Sequence, residues 1–448
     1  MLAMCSRQIL RKCGSLGLAL VSLLSLTACG SGGGELAYSS TVAAEVNGFE
    51  SGPTLDLRLN GNETLNVTSN GKSAFKSSLP VASGYSVSLK DKQPPGFQWC
   101  VINNGTGTVK DSENIVAVNC TASSGDVTTI AGIAGVTGSN NGPAASATFD
   151  SPRGMVFDSN GNLYIADSDN KVIRKIDTDG NVSVFAGQQG VSGSDDGPLG
   201  TGKFGGPHYG ITVDKDDNLY VTDTLNHTIR KIDTNGTITT IAGRSGVRGF
   251  ADGAALSATF SNPQGLAFDS LGNLFVVDSG NYLIRKIGTN GQVTTFAGTQ
   301  ATSYTPPLDG PLGVARLGIP YTLVIDNNDM LYLSDRSTGI RKIDKEGNVS
   351  SYTSNVSGIF DNATVVSRDL WGNFYTAGIL GSSIIVKVAP SGATSILAGA
   401  QGSIGYADGK GALAKFSTIT GMTVDKFGNL YTAEAFNHTI RKIVPASP

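Results

Sequence analysis

The sequence predicts an all-β protein in which a six-bladed β-propeller follows a smaller β-domain. A segment that begins at Pro152 recurs through the later two thirds of the chain. One aspartate, which closes the first predicted strand of each copy, shows the period. Its copies are 56, 55, 57, 43 and 56 residues apart and are Asp158, Asp214, Asp269, Asp326, Asp369 and Asp425. A unit that recurs in this way cannot bury its apolar face alone, so the copies are expected to stack on one another.

Each copy contains four short segments rich in β-branched and aromatic residues, at 155–157, 163–166, 172–176 and 182–185 in the first copy. Such segments favour strands, and none shows helical spacing of apolar residues. The turn Asp158-Ser-Asn-Gly161 has the residue types that tight turns prefer at their first and fourth positions. Four antiparallel strands per unit, repeated radially, form the blades of a propeller.

The ends of the repeated part predict how the ring closes. Five copies are complete and begin near Pro152, Pro207, Pro263, Pro320 and Ala363. The sixth, from Thr420, ends at Ile443 after only three strands. The segment 127–132 reads Val-Thr-Thr-Ile-Ala-Gly and matches 238–243, the outer strand of the second copy. We predict that it pairs with 439–443, because an open ring would expose unpaired strand edges.

The copy from Pro152 to Gly187, with Asn170-Lys-Val-Ile173, resembles the NHL repeat family. The Asn-His-Thr-Ile motifs at 226–229 and 437–440 resemble the core of that repeat. The resemblance covers residues 127–445 and implies an NHL-type six-bladed propeller. It implies little about activity, since one fold hosts many functions. Six-bladed relatives in fold include lactonases and an amidating lyase with metal-dependent sites.

The first 28 residues are typical of a signal peptide, because Arg7, Arg11 and Lys12 precede an apolar segment at 16–26. That segment is too short for a stable membrane span. Leu26-Thr-Ala-Cys29 resembles a bacterial lipobox, which implies that Cys29 is diacylated and that residues 29–35 form a lipidated tether. Gly30, rather than Asp, after the cysteine implies outer-membrane sorting. The alternative is an ordinary secretory signal with an incidental cysteine.

Residues 36–121 predict a small β-sandwich, and residues 122–126 a linker to the propeller at 127–445. Predicted strands lie at 42–46, 54–59, 63–67, 73–75, 84–89 and 115–119. Cys100 and Cys120 predict a disulfide, because the chain is expected to be exported. Two free thiols are the alternative. Nothing in this domain suggests chemistry, so we interpret it as a spacer between membrane and propeller.

The long connections between copies, 188–206, 244–262, 299–319 and 400–418, are expected on one face, and turns of three or four residues on the other. Long loops on a rigid scaffold commonly carry binding residues, so the loop-rich face is the predicted recognition surface. At the start of the inner strands, beside the central channel, the polar residue type varies between copies. These predicted binding residues are Arg153, His208, Tyr209, Gln264, Tyr321 and Thr420. Side chains that merely fill the channel are the alternative.

Other charged positions recur, and each has two interpretations. The loop aspartates Asp196, Asp252 and Asp408 make calcium a candidate cofactor, but their spacing lacks the dense pattern of a dedicated calcium loop. The alternative is an Asp-Gly turn followed by a phenylalanine that fills the gap between blades (Phe204, Phe260, Phe416). The aspartates that end the second strand, such as Asp167, suggest either a metal ring or internal caps. The recurring arginines suggest either an anion site or internal ion pairs and are Arg174, Arg230, Arg285, Arg341 and Arg441. We favour the internal interpretation throughout. The fifth copy departs from this pattern, because it reads Ile385-Val386-Lys387 where the others have Ile-Arg-Lys, and Gly378 stands in the place of the aspartate.

Net charge and the histidine positions argue against two classes of function. A formal net charge of −3 argues against a nucleic-acid partner. The three histidines are His208, His227 and His438, and the last two share one repeat position, which does not predict a zinc triad. We predict a lipid-anchored envelope protein, without catalytic residues, whose propeller binds a protein, peptide or glycan. The alternative is a metal-dependent hydrolase or lyase with its site at the central channel.

Overall fold

The computed structural model describes residues 38–49, 54–90, 98–353, 363–378 and 384–445. The predicted signal peptide and Cys29 lie outside these ranges. Within them the chain is built from β-strands, and the helical elements are three single 3₁₀ turns. No described helix has the length and apolar character needed to cross a membrane.

The described residues before the propeller form two four-stranded sheets that enclose one apolar core. The strands are β1 Ser39–Asn47, β2 Leu55–Leu59, β3 Glu63–Val67, β4 Gly71–Pro80, β5 Gly84–Leu89, β6 Gln98–Asn103, β7 Thr106–Thr108 and β8 Asn114–Ala122. The sheet orders are β4-β1-β8-β6 and β3-β2-β5-β7. All six predicted strands are present, and the sequence missed β6 and β7, whose residues do not alternate between apolar and polar.

The predicted disulfide is confirmed. Cys100 on β6 lies directly opposite Cys120 on β8, and their sulfur atoms are bonded. Both residues are buried in the shared core.

The repeated part contains short strands joined by turns and loops. In chain order they are β9 Gly125–Ala131, β10 Gly142–Pro143, β11 Pro152–Phe157, β12 Leu163–Asp167, β13 Val172–Ile176, β14 Asn181–Gly187, β15 Pro207–Val213, β16 Leu219–Asp223, β17 Thr228–Ile232, β18 Ile238–Ala242, β19 Gly253–Ala254, β20 Pro263–Phe268, β21 Leu274–Asp278, β22 Leu283–Ile287, β23 Gln292–Gly298, β24 Pro320–Ile325, β25 Leu331–Asp335, β26 Gly339–Ile343, β27 Val349–Ser351, β28 Ala363–Arg368, β29 Phe374–Gly378, β30 Ile384–Val388, β31 Thr394–Gly399, β32 Gly409–Lys410, β33 Ile419–Val424, β34 Leu430–Glu434 and β35 Thr439–Pro445. The 3₁₀ turns are Thr224–Asn226, Ser279–Asn281 and Gly411–Leu413.

These strands form six antiparallel sheets within the described residues, here numbered first to sixth in chain order of their inner strands. The inner strands β11, β15, β20, β24, β28 and β33 contact one another in a closed cycle around a central channel. The short strands β10, β19 and β32 each add a fifth strand to an outer edge.

The sixth sheet is completed from the other end of the chain. β9 pairs with β35, and Val127 lies opposite Ile443 while Ala131 lies opposite Ile440. The predicted pairing is therefore confirmed. β9 supplies the outer strand of the sixth sheet, so this pairing joins the two ends of the repeated part.

Apolar residues pack between neighbouring sheets, including between the sixth and the first. In the sixth-to-first core, Ala433 and Ile440 pack with Met155 and Ile165. Three of the four long loops add a fully buried phenylalanine to such a core, as Phe260 does between the second and third sheets, and the loop at 299–319 adds Leu317 instead. The interpretation of these phenylalanines as plugs is confirmed.

The inner strands approach one another closely. Gly421 lies where a Cβ atom would stand 1.9 Å from the carbonyl oxygen of Arg153, so a side chain there would force the first and sixth sheets apart. Hydroxyl groups reinforce the ring, because Thr224 Oγ1 donates to the Pro263 carbonyl at 2.7 Å and Thr420 Oγ1 to the Pro152 carbonyl at 2.8 Å. The inner strands therefore surround the channel with closely packed backbone that hydroxyl groups tie together.

Candidate functional site

The recurring charged residues are engaged inside the five sheets that carry them. In the third sheet, Arg285 is fully buried and its Nη1 lies 3.0 Å from Asp278 Oδ2, while its Nη2 lies 2.5 Å from Asp252 Oδ1. Asn281 Nδ2 donates to Asp278 at 2.7 Å, and the ring of Phe260 lies 5.2 Å from the guanidinium. Each terminal nitrogen of Arg285 thus has a carboxylate partner.

The same arrangement recurs in four other sheets. Arg230, Arg341 and Arg441 each contact one carboxylate at the end of the second strand and one in the preceding loop. In the first sheet, Asn141 Oδ1 takes the place of the loop carboxylate and accepts from Arg174 Nη2 at 2.9 Å. These arginines and aspartates form internal ion pairs, as we favoured from the sequence, rather than a ring open to ligands.

Burial sets the proton affinity of the strand-end carboxyls. It raises the pKa of Asp278 and of Asp167 to about 6, against the opposing hydrogen bonds from Asn281 and Asn170. The loop carboxylate Asp196 has a lowered pKa, because hydrogen bonds from Thr240 and Arg230 outweigh the effect of its partial burial. The loop aspartates that made calcium a candidate therefore already accept hydrogen bonds from an arginine and a threonine.

The described histidines have structural partners. His227 and His438 occupy the same left-handed turn position, with φ of 59° and 57°. The Nδ1 atom of each accepts a backbone N–H at 3.3 Å, from Asn262 and Ser151 respectively. Among the described residues, no three His, Cys, Asp or Glu side chains come together in a way that could hold a metal ion.

The predicted binding residues lie where the inner strands begin, on the side of the long loops. Arg153, Gln264 and Tyr321 are half-buried there, and the Oε1 atom of Gln264 is buried with no hydrogen-bond partner among the described residues. Thr420 is buried, and its hydroxyl donates the hydrogen bond to the Pro152 carbonyl that joins the sixth and first sheets.

Neighbouring sheets bring these residues together through their backbones. The carbonyl oxygen of Gln264 lies beside Gly210, and that of Tyr321 beside Gly265. His208 and Tyr209 belong to β15, but their side chains lie outside the described part of the structure. Thr364 has the corresponding place in the fifth sheet. Thr364 was not among the predicted binding residues, although it follows Ala363 as Arg153 follows Pro152.

A cavity of about 400 Å³ occupies the other half of the channel. It is lined by the later residues of the inner strands and by Asn327 and Leu370 of the short turns, which places it toward the face opposite the long loops. Of the predicted binding residues whose side chains are described, only Thr420 lines it. The predicted residues therefore mark the loop-side mouth of the channel and do not, apart from Thr420, line this cavity.

The long loops expose apolar side chains. Phe250 and Leu256 in one loop are 52% and 61% exposed, although Phe260 in the same loop is fully buried. The exposed apolar residues of the four loops are Val191, Leu199, Val247, Phe250, Leu256, Tyr304, Leu308, Leu312, Val314, Ile404, Tyr406 and Leu413. Scattered single residues of this kind are ordinary. Not all of them lie on one face, because Leu256 follows β19, whose Ala254 lies opposite Gln292 at the start of β23.

Known proteins share parts of this chain. Residues 149–176 and 260–287, which contain three strands of the first and third sheets, match the NHL repeat. The human NHL repeat-containing protein 2 is 26% identical over 279 residues, which are 52% of this chain and 38% of that protein. The chain thus spans well under two thirds of that relative's length. Together with the ring of sheets, these matches support an NHL-type β-propeller.

Two solved structures from Bacteroides thetaiotaomicron share the fold. A protein of unknown function aligns with a TM-score of 0.56 at 19% identity, over 87% of this chain and 90% of its own. An auxiliary nutrient binding protein aligns with a TM-score of 0.54 at 13% identity, over 90% of this chain and 97% of its own. At these identities the likeness concerns the fold alone.

Proposed function

We propose that this chain is a lipid-anchored cell-envelope protein whose six-bladed NHL propeller binds a protein, peptide or glycan on its loop-rich face. In this proposal Cys29 carries the lipid at the outer membrane, and the N-terminal sheets form a β-sandwich that holds the propeller away from it. Membrane attachment is tested by cell fractionation, in which Cys29→Ser would release the protein to the soluble fraction.

One observation carries the binding function. The charged residues that recur in five of the six sheets are engaged in internal ion pairs or hydrogen bonds, whereas the polar residues that differ between sheets stand half-buried at the loop-side mouth. Non-identical polar groups at the centre of a ring suit recognition of an asymmetric partner. The nutrient-binding relative in fold is compatible with this function.

The test is partner capture from an envelope extract by the purified protein. We expect Arg153→Ala, Gln264→Ala and Tyr321→Ala together to weaken capture at least about tenfold, because central side chains carry most of the binding energy of an interface. The matched control replaces three exposed residues of the opposite face, Lys215, Leu271 and Lys426, with alanine. Equal capture by both triple variants would refute the loop-rich face as the site.

A further inference from the structure

The interface between the fourth and fifth sheets departs from the repeat on the face opposite the long loops. The residue just before the first turn aspartate is apolar in the other five sheets: Phe157, Val213, Phe268, Ile325 and Val424. The fifth sheet has Arg368 there. A cation thus stands at a position that otherwise packs between sheets, as Phe157 does against Tyr431.

Three further departures surround Arg368. The leucine that begins the second strand in every other sheet is Phe374 in the fifth. The turn after the first strand contains Trp371, one of only two tryptophans in the chain. The turn after the third strand has Pro390 where the first three sheets have threonine. Substitutions that cluster in space and occur in one repeat out of six indicate a local role that the fold itself does not require.

Together these residues form an aromatic pocket of about 420 Å³. The rings of Tyr332, Tyr352 and Phe374 lie with centroids 4.5–5.2 Å apart, and the guanidinium carbon of Arg368 lies 5.7 Å from the Phe374 centroid. The pocket is lined by Tyr332, Tyr352, Arg368, Trp371, Gly372, Phe374 and Pro390. Arg368 also lines the channel cavity, so the two spaces adjoin.

Arg368 differs from the five buried arginines in its partners. Those arginines each bind a carboxylate, whereas the guanidinium of Arg368 makes no hydrogen bond or ion pair with any residue that the structure describes. Burial raises the pKa of Tyr352, and the positive charge of Arg368 opposes that effect. The nearby Asp326 carboxylate accepts a hydrogen bond from the Tyr332 hydroxyl at 3.2 Å. The pocket therefore combines an aromatic wall with a guanidinium that contacts no carboxylate directly among the described residues.

We propose that this pocket binds a small ring compound that carries a single carboxylate. The ring would stack on the aromatic wall, and the carboxylate would pair with Arg368, whose planar fork suits bidentate contact. The charge of Arg368 excludes a quaternary ammonium ligand, which aromatic cages otherwise favour. The volume admits one or two rings. Both a hexuronic acid and an arylacetic acid present this chemistry, and the site is independent of the loop-rich face.

The experiment titrates the full chain, carrying Trp99→Phe, with D-glucuronate, phenylacetate and neutral D-glucose, and follows Trp371 fluorescence and calorimetric heat. We expect saturable binding of one acid and at least about tenfold weaker binding of glucose, the size of one charge-assisted contact. Binding of glucuronate alone identifies a sugar acid, and binding of phenylacetate alone an aryl acid. Binding of neither acid, or equal binding of glucose, would overturn the proposal.

Substitutions at Arg368 test whether its guanidinium binds the carboxylate of the ligand. Arg368→Gln and Arg368→Phe should both weaken the acid at least about tenfold, and the phenylalanine variant restores the residue type of the first and third sheets, which keeps the interface packed. The control is Lys426→Gln, which removes an exposed cation beside Phe427 on the same face. Unchanged affinity in the Arg368 variants, or an equal loss in Lys426→Gln, would exclude Arg368 as the carboxylate partner.

Discussion

The buried arginines show how one residue type can look functional in a sequence and be structural in the fold. Arg285 bridges Asp278 on its own sheet and Asp252 in the loop that crosses above it. Asp252 also accepts the backbone N–H of Thr295 on the outer strand at 3.1 Å. One guanidinium therefore joins the second strand, the third strand and the loop, and the outer strand is attached through the same carboxylate.

We expect Arg285→Met to lower the free energy of unfolding by about 3–5 kcal/mol, because it leaves the Asp278 carboxylate buried without its cation. Arg244→Met, at an exposed arginine that begins the same loop, should change it by no more than about 0.5 kcal/mol. The measurement is denaturant unfolding followed by Trp371 fluorescence in a Trp99→Phe background. Identical curves for the two variants would show that the buried ion pairs are not needed for stability.

At the scale of the element, each long loop has two kinds of apolar residue. In the loop between the second and third sheets, Phe260 is fully buried beneath Arg285, whereas Phe250 is half-exposed. The first anchors the loop in the core between the sheets, and the second belongs to the proposed recognition surface. Composition alone does not distinguish these two phenylalanines, because both lie in the same Gly- and Ala-rich connection.

We expect Phe260→Ala to destabilise the protein by about 3–5 kcal/mol, since it leaves a cavity between two sheets. Phe250→Ala should leave the thermal midpoint nearly unchanged and weaken partner capture. Thermal unfolding and the capture assay, applied to both variants, separate the two roles. A stable Phe260→Ala protein, or a destabilised Phe250→Ala protein, would contradict this division of the loop.

For the whole molecule, the joint between β9 and β35 determines the architecture. Val127 is completely buried in the core between the fifth and sixth sheets, about 300 residues in sequence before the strand that it pairs with. Because each sheet is packed on two neighbours, a break at this joint exposes the edges of the sixth sheet and one face of the first.

We expect Val127→Asp to lower the stability of the repeated part by more than about 4 kcal/mol, because a carboxylate is forced into an apolar core. Limited proteolysis should then cleave within the sixth sheet first. Val136→Asp, at an exposed valine just beyond β9, should resist protease like the unsubstituted protein. Equal resistance of the two variants would mean that closure by β9 contributes little to stability.

Much of the fold could be predicted because the repeat supplies several copies of the same evidence. The segments rich in β-branched and aromatic residues, the Asp-x-x-Gly turns and the spare outer strand at 127–132 predicted the sheets and their pairing, and β9 against β35 confirms the joint. The NHL resemblance agrees with the two matched segments. The strands β6 and β7 escaped prediction because they do not repeat and lack alternation.

The candidate sites were less predictable for a physical reason. The sequence by itself determined the four main strands of the repeat, the turns and the ring joint, since these depend on local propensity and on spacing along the chain. Only the tertiary structure decided that the recurring arginines face buried carboxylates, that the channel cavity lies away from the long loops, and that Arg368 lies among aromatic rings of the preceding sheet. Those relations join residues of different sheets, and burial and charge compensation exist only once the sheets are packed.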